Sequence, residues 1–370
     1  MKNEALDIVF SKALRNRRAE PLPPDIPANA ALQHLAYHGI GTKMVSDDLV
    51  ANWPAELSEQ VRADARDQAM WELQHAAVLR PLLKSFADSD IPTLLLKGTA
   101  LAYDLYENPA ERARADTDLL IHERNLQCAR SLLTNCGFEA PSDHGFLPPE
   151  LRFQESWLLL APDNSTHCID LHWRAMNTPA VDRMFSVDDW FAGARPLPRL
   201  SATARAPSRP MMLLHALLHR GLHDCAPYFV GGETYYGGNR LIWLWDIALI
   251  GRSISEIEWR EFCRLAQSKQ VARICRDGLV AASDRVGPVA PEWVESALMS
   301  KSSRYFSGGQ LRRAWLDWWA VRGIGRKLRY LTARAFPSAG FMRAKYRALE
   351  HRPLPSLYLR RLAELARPRR

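Results

Sequence analysis

Apolar residues change their period several times along this chain. Between Glu56 and Phe86 they fall at Leu57, Val61, Ala65, Ala69, Leu73, Ala76, Ala77, Leu79 and Leu83, the spacing of one helix face. That pattern predicts one long amphipathic helix or two abutting ones, with Pro81 expected to kink or break it because proline brings no amide hydrogen. After Asp88-Ser89-Asp90, the apolar run Ile91 to Leu96 stops at Lys97-Gly98 and is short enough for a buried strand. Thr99 to Tyr106 returns to helical spacing until Asn108-Pro109 breaks it, and Asp116 to Ile121 reads as a second strand. A helix around Leu126 to Cys136, closed by Gly137, precedes two further strands, Trp157 to Leu160 and Thr166 to Trp173, joined by the turn Pro162-Asp163-Asn164-Ser165.

Beyond about residue 205 every periodic segment is helical: Met211 to His223, Leu241 to Ile250, Ile257 to Ala266, Val271 to Ser283, then Trp- and Arg-rich stretches. Pro21 to Pro27 reads as a linker or extended arm. The fold class expected is α/β in the α+β sense: a small mixed-sheet core with an N-terminal helical segment and a larger helical C-terminal domain. The expected divisions are an arm and helical segment over 1–55, the α/β core over 56–200 and the helical domain with its basic end over 205–370.

Composition narrows the class. With 47% hydrophobic and 24% charged residues in 370, the chain is globular, which excludes disordered and collagen-like readings. Its six cysteines are scattered without a C-x-x-C pair, so neither a zinc ribbon nor a disulfide scaffold is indicated and a reducing cytoplasm is expected. No run approaches the roughly 18 apolar residues of a membrane span, so at most peripheral membrane contact is expected. The net charge of +8 is unevenly placed: Arg322 to Arg370 carries 14 Lys and Arg against Glu350 and Glu364, while residues 1–321 carry 35 against 39 acids. A basic end on a mildly acidic body points to a polyanionic partner, whether nucleic acid, a phosphorylated ligand or an anionic membrane.

Asp116 and Asp118 are the sharpest chemical feature. Two residues apart on a strand they share a face, and adjacent carboxylates of low exposure call for a cation. Carboxylate oxygens suit Mg²⁺ or Mn²⁺. Asp170 adds a lone carboxylate inside the apolar strand Cys168 to Trp173. Three such groups beside a glycine turn are what phosphoryl transfer needs. The plainer alternative is a polar start to a strand, with Asp170 paired to an arginine.

The order Lys97-Gly98-Thr99, helix, Arg114-x-Asp116-x-Asp118, then Ile169-Asp170-Leu171-His172-Trp173 resembles the nucleotidyltransferase superfamily that includes polymerase β. More closely it is similar to the bacterial family labelled uncharacterised nucleotidyltransferase. In that family a His-rich helix and an Arg-Leu-x-Trp-Leu-x-Asp helix follow, here Leu214-His215-x-x-x-His219-x-x-x-His223 and Arg240 to Asp246. The resemblance covers roughly residues 60 to 250. It implies an enzyme that moves a nucleoside monophosphate from an NTP, ATP by default, to an acceptor that is a small molecule, a peptide or RNA, with release of pyrophosphate. It also implies that Asp116, Asp118 and Asp170 bind Mg²⁺ or Mn²⁺, with Asp170 acting as or positioning the base. Lys97, Gly98, Thr99, Arg114, His172, His215, His219 and Arg240 are the expected substrate- and phosphate-binding residues. One departure is the separation of 18 residues from Gly98 to Asp116, longer than the superfamily's usual spacing after a Gly-Ser turn.

Rival classes are a non-catalytic scaffold of the same fold that docks through its basic end, and a toxin-like enzyme that modifies RNA. Several features stay open at this stage. His215, His219 and His223 share a helix face and are compatible with a metal site, a pocket wall or packing. Arg114 is a candidate phosphate clamp or a partner of Asp116. Gly231 to Gly238 lacks a P-loop ending and reads as a flexible interhelical loop, with a lid over the site as the alternative. Trp315, Trp318 and Trp319 read as helical core or as a membrane-facing stripe.

Overall fold

The computed structural model describes residues 2–140, 147–225, 228–230, 233–235, 237–299, 305–346 and 351–366. Three helices open the chain, α1 (Lys2–Asn16), α2 (Ala28–His38) and α3 (Gly41–Ser46), followed by the 34-residue α4 (Ala55–Asp88). Pro81 lies inside α4 without ending it. The buried stripe Leu79, Leu82, Leu83 and Phe86 holds the last two turns against the core, and this packing outweighs the roughly 3 kcal/mol that an internal proline costs.

Next come β1 (Leu94–Leu95), α5 (Lys97–Asp104), β2 (Asp116–Leu120), α6 (Leu126–Asn135), β3 (Gln154–Leu160) and β4 (Thr166–His172). The four strands form one sheet in the order β1-β2-β4-β3, with β2 parallel to β4 and the outer pairs antiparallel. The mixed α+β core expected from the apolar runs is therefore present. Register sets what each face carries. Asp118 pairs with Asp170 across the parallel strands, and Ser156 on β3 pairs with Asp170. Thr117, Ile169 and Trp157 point the other way, toward α4 and α6. There His75 of α4 lies 2.7 Å from Thr117 Oγ1 and 3.2 Å from His167.

The chain continues through α7 (Pro179–Asp182), α8 (Val187–Phe191), the short pair β5 (Arg195–Pro196) and β6 (Arg205–Ala206), and α9 (Arg209–Cys225). Tyr228–Val230 and Glu233–Tyr235 pair as an antiparallel hairpin, β7 and β8, so the segment after residue 205 is not purely helical. Part of the Gly231 to Gly238 loop, including Gly231, Gly232 and Tyr236, lies outside the described residues. Helices α10 (Leu241–Ser253), α11 (Glu256–Ser268), α12 (Ala272–Val286) and α13 (Glu292–Ala297) complete the body, and α14 (Gln310–Ala320), α15 (Ile324–Ala335), α16 (Ala339–Lys345) and α17 (Leu354–Ala366) form the basic end. One hydrophobic cluster runs from Leu6 to Tyr305. Two smaller clusters serve the basic end, one around Leu151, Val321 and Tyr330 and one around Met342, Tyr346 and Leu357. Among the described residues no helix is long and apolar enough to cross a membrane.

Candidate active site

A cavity of about 480 Å³ lies between the carboxylate face of the sheet and helices α9 and α10. The sheet side contributes Lys97, Gly98, Arg114, Asp116 and Asp118, and the helical side contributes His215, His219, His223, Arg240 and Trp243. A second cavity of about 510 Å³ opens beside α15 and holds none of the three expected carboxylates.

Lys97 begins α5 with φ +48, a left-handed conformation uncommon for a residue with a Cβ. From there its Nζ reaches 2.6 Å to Asp118 Oδ1. The same oxygen lies 2.8 Å from His172 Nε2, and His172 is fully buried. Burial opposes the charge on Asp118, but Lys97 and His172 outweigh it and hold the carboxyl far below the usual carboxylate range. An ionised carboxylate only accepts, so His172 Nε2–H donates to it, which makes His172 an orienting group for Asp118. Burial alone would depress the Lys97 amine. Asp118, with Asp116 and Asp170 behind it, raises that amine above the ordinary lysine value.

Asp170 is held by its strand neighbour, since the Ser156 hydroxyl donates to Oδ1 at 2.5 Å and the Gln154 amide donates to Oδ2 at 2.9 Å. It has no arginine partner among these bonds, unlike the plainer sequence alternative. Burial pushes Asp116 up to about 6, with the charges of Asp118 and Asp170 adding to the shift. One atom each from Asp118, Asp170 and His172 lies within 4.8 Å of the others, with the His172 Nε2–H already given to Asp118 and the two carboxylates left as the ligands. Asp116 stands one pleat earlier on the same face of β2. Hard oxygen donors converge here, and a buried carboxylate is repelled by two others, so the residues fit a divalent cation of the Mg²⁺ or Mn²⁺ kind.

The structure places the remaining expected residues unequally. Gly98 lines the cavity, and a Cβ there would come within 3.4 Å of Arg114 Cδ. Thr99 faces away, its hydroxyl 2.8 Å from Thr117 Oγ1 and accepting from Arg114 Nε at 2.9 Å. Arg114 does not pair with Asp116. Its guanidinium takes Glu72 of α4 with two nitrogens, at 2.6 and 2.8 Å, and its side chain is almost entirely buried. Of the full set, Thr99, Asp170 and His172 lie outside the cavity lining, with Asp170 and His172 directly beside Asp118.

Along α9, burial pushes His215 down to about 3 and His223 down to about 4, and His219 lies well below the usual histidine value. Lys97 adds to each shift. His219 and His223 approach at 3.1 Å and pack on Trp243, forming an aromatic wall. No third ligand joins them among the described residues. A second group of possible ligands, Asp7, His34 and His38, lies elsewhere. There the His38 Nδ1 accepts from the Leu241 amide, so Nε2 carries the hydrogen and donates to Asp7 at 2.7 Å. The arrangement caps α10 and leaves no lone pair on His38 for a metal.

Two participants escaped the sequence reading. Arg112 lies in the cavity wall and makes a forked ion pair with Asp246 of α10 at 2.8 to 2.9 Å, and the Tyr106 hydroxyl donates to the same carboxylate at 2.7 Å. Glu72 anchors Arg114 and accepts from Tyr103 at 2.7 Å. The only sequence signal was Asp246 at the end of the Arg-Leu-x-Trp-Leu-x-Asp helix.

A small mixed sheet thus presents neighbouring strand carboxylates beside a helix start, under the helices α9 and α10. The family model described as uncharacterised nucleotidyltransferase matches residues 28–287, and the chain belongs to that family. It is accordingly an enzyme of nucleotidyl transfer. No curated protein matches the chain.

Proposed function

We propose that the protein transfers a nucleoside monophosphate from an NTP, with Mg²⁺ or Mn²⁺, to an acceptor hydroxyl. The acceptor oxygen bonds to the α-phosphorus, the bond from that phosphorus to the β-phosphate bridging oxygen breaks, and pyrophosphate leaves. The observation that carries this reading is the register pairing of Asp118 with Asp170, with Asp116 one pleat away, where Asp116 and Asp118 line a cavity of nucleotide size and Asp170 stands directly beside Asp118. Asp116, Asp118 and Asp170 would hold a divalent cation, which would supply Lewis-acid charge at the phosphates. Asp170, oriented by Ser156 and Gln154, accepts the proton of the acceptor hydroxyl.

Lys97 and the amides at the start of α5 meet the triphosphate, where a helix N-terminus favours anions. The base rests against the His219–His223–Trp243 wall. Arg114 acts through position: its side chain is buried against Glu72 and fixes the strand start, while the partly exposed Lys97 is left to meet the phosphates. ATP is the default nucleotide.

Calorimetry with each NTP and Mg²⁺ tests the site. Wild-type protein binds at least one nucleotide in a metal-dependent manner, and Asp116→Ala with Asp118→Ala abolishes it. Unchanged binding in the double variant removes the assignment. Incubation with α-labelled NTP and separate RNA, peptide and small-molecule fractions identifies the acceptor by the fraction that takes up label.

A further inference from the structure

The C-terminal hairpin of α14 and α15 is unlike the rest of the surface. On α14, Leu311, Trp315 and Trp319 follow one another at intervals of four and are 84%, 56% and 51% exposed. On α15, Ile324, Leu328 and Leu331 form a second stripe, 82%, 60% and 47% exposed. The stripes adjoin, because Lys327 of α15 lies over the Trp319 ring at 4.3 Å and Trp319 in turn meets Trp315 edge-on. Trp318 behaves differently. It turns inward to the small cluster of Leu151, Val321 and Tyr330, which fixes the hairpin to the body and leaves its two neighbours outside.

Charge completes the pattern. Between Leu311 and Phe336 there are seven Lys and Arg and one acid, Asp317. Asp317 is buried, accepting from the Ala180 amide and the Tyr305 hydroxyl, and lies 3.8 Å from Arg334, so the charge it offsets is mainly that of this one arginine. Arg312, Arg322 and Arg326 are exposed beside the apolar stripes, and Arg329, also exposed, is paired with Glu150.

We infer that this hairpin docks the protein on an anionic lipid surface, with the stripes seated at the headgroup boundary and the arginines against acidic headgroups. Tryptophan, leucine and isoleucine on one side of a basic helix are the composition of an interfacial helix, and tryptophan prefers the headgroup level. Two features favour lipid over the alternatives. Nucleic acid gains from aromatic stacking, whereas Leu311, Ile324, Leu328 and Leu331 offer no face to a base and gain from hydrocarbon contact. A second copy of the chain would bring one basic face against another. No described helix can span a bilayer, so the contact is peripheral. The inference stands independently of the catalytic reading.

The test is co-sedimentation of the full chain with vesicles of phosphatidylcholine alone or mixed with phosphatidylglycerol. Binding to the anionic vesicles is expected to exceed that to neutral ones by about tenfold and to fall with salt. Trp315→Ser with Trp319→Ser lowers it by about tenfold, as does Arg322→Gln with Arg326→Gln. All four positions are on the surface, and unchanged circular dichroism melts confirm that the variants fold. Equal sedimentation with neutral and anionic vesicles, no sedimentation with either, or wild-type binding by the tryptophan variant overturns the inference. So does single-stranded RNA binding lost in the same variants without lipid binding, or a dimer in solution disrupted by them.

Discussion

Lys97 Nζ and Asp118 Oδ1 are 2.6 Å apart, so the most strongly ionised carboxylate of the site is already neutralised by a cation of the protein. A divalent cation that binds Asp118 therefore shares it with Lys97 and His172. This relationship governs what substitutions here do.

Replacing Lys97 by Met leaves three neighbouring carboxylates without their cation. In EDTA the variant is expected to lose about 2 kcal/mol of stability, less than a fully buried pair costs because the amine is partly solvated. Added Mg²⁺ raises its melting temperature more than that of the wild type. Parallel melts with and without Mg²⁺ check this, and an identical metal response in both proteins would contradict the pairing.

Substituting His172 by Gln keeps a donor near Asp118 but loses the fixed ring. The expected outcome is a metal affinity weaker by about 10- to 100-fold at unchanged fold, the usual cost of losing an orienting partner. Titration with Mn²⁺ followed by electron paramagnetic resonance measures it.

Breaking the Arg112–Asp246 pair has a different signature. Arg112→Met leaves a buried carboxylate whose remaining hydrogen-bond donor among the described residues is Tyr106, and a loss of about 3–5 kcal/mol is expected. The double change Arg112→Met with Asp246→Leu costs less than the two single changes summed. Urea unfolding of the four proteins is the measurement.

Buried histidines give the fold an acid sensitivity. Burial pushes His75 down to about 3, with Arg114 and His167 adding to it, so the native state excludes a proton that the unfolded chain takes up near its ordinary value. The neutral ring's contribution is full above about pH 6.5 and is lost as pH falls below it. At about pH 5.5 the loss is about 1.4 kcal/mol relative to pH 7.5. His75→Gln removes that part of the pH dependence while lowering stability throughout. Unfolding at both pH values distinguishes the two effects.

Much of the geometry of the candidate site could be read from local pattern. The strand bearing Asp116 and Asp118 and the strand bearing Asp170 are apolar runs bounded by turn residues, and side-chain alternation puts the first two on one face. That Asp170 stands opposite Asp118 depends on register between strands 50 residues apart, which no local pattern carries. The partners of Arg112 and Arg114 lie 134 and 42 residues away, so their ion pairs were equally hidden. Pro81 shows the converse, a strong local signal overridden by tertiary packing along α4.

The stretch from Leu105 to Ala115 is fastened at two points in opposite directions. Arg112 is tied to α10 on the helical side and Arg114 to α4 on the sheet side, and Asp116 follows two residues later. The two guanidiniums hold the backbone that leads into the first carboxylate from opposite sides. The segment thus joins roof and floor through two buried ion pairs just ahead of Asp116.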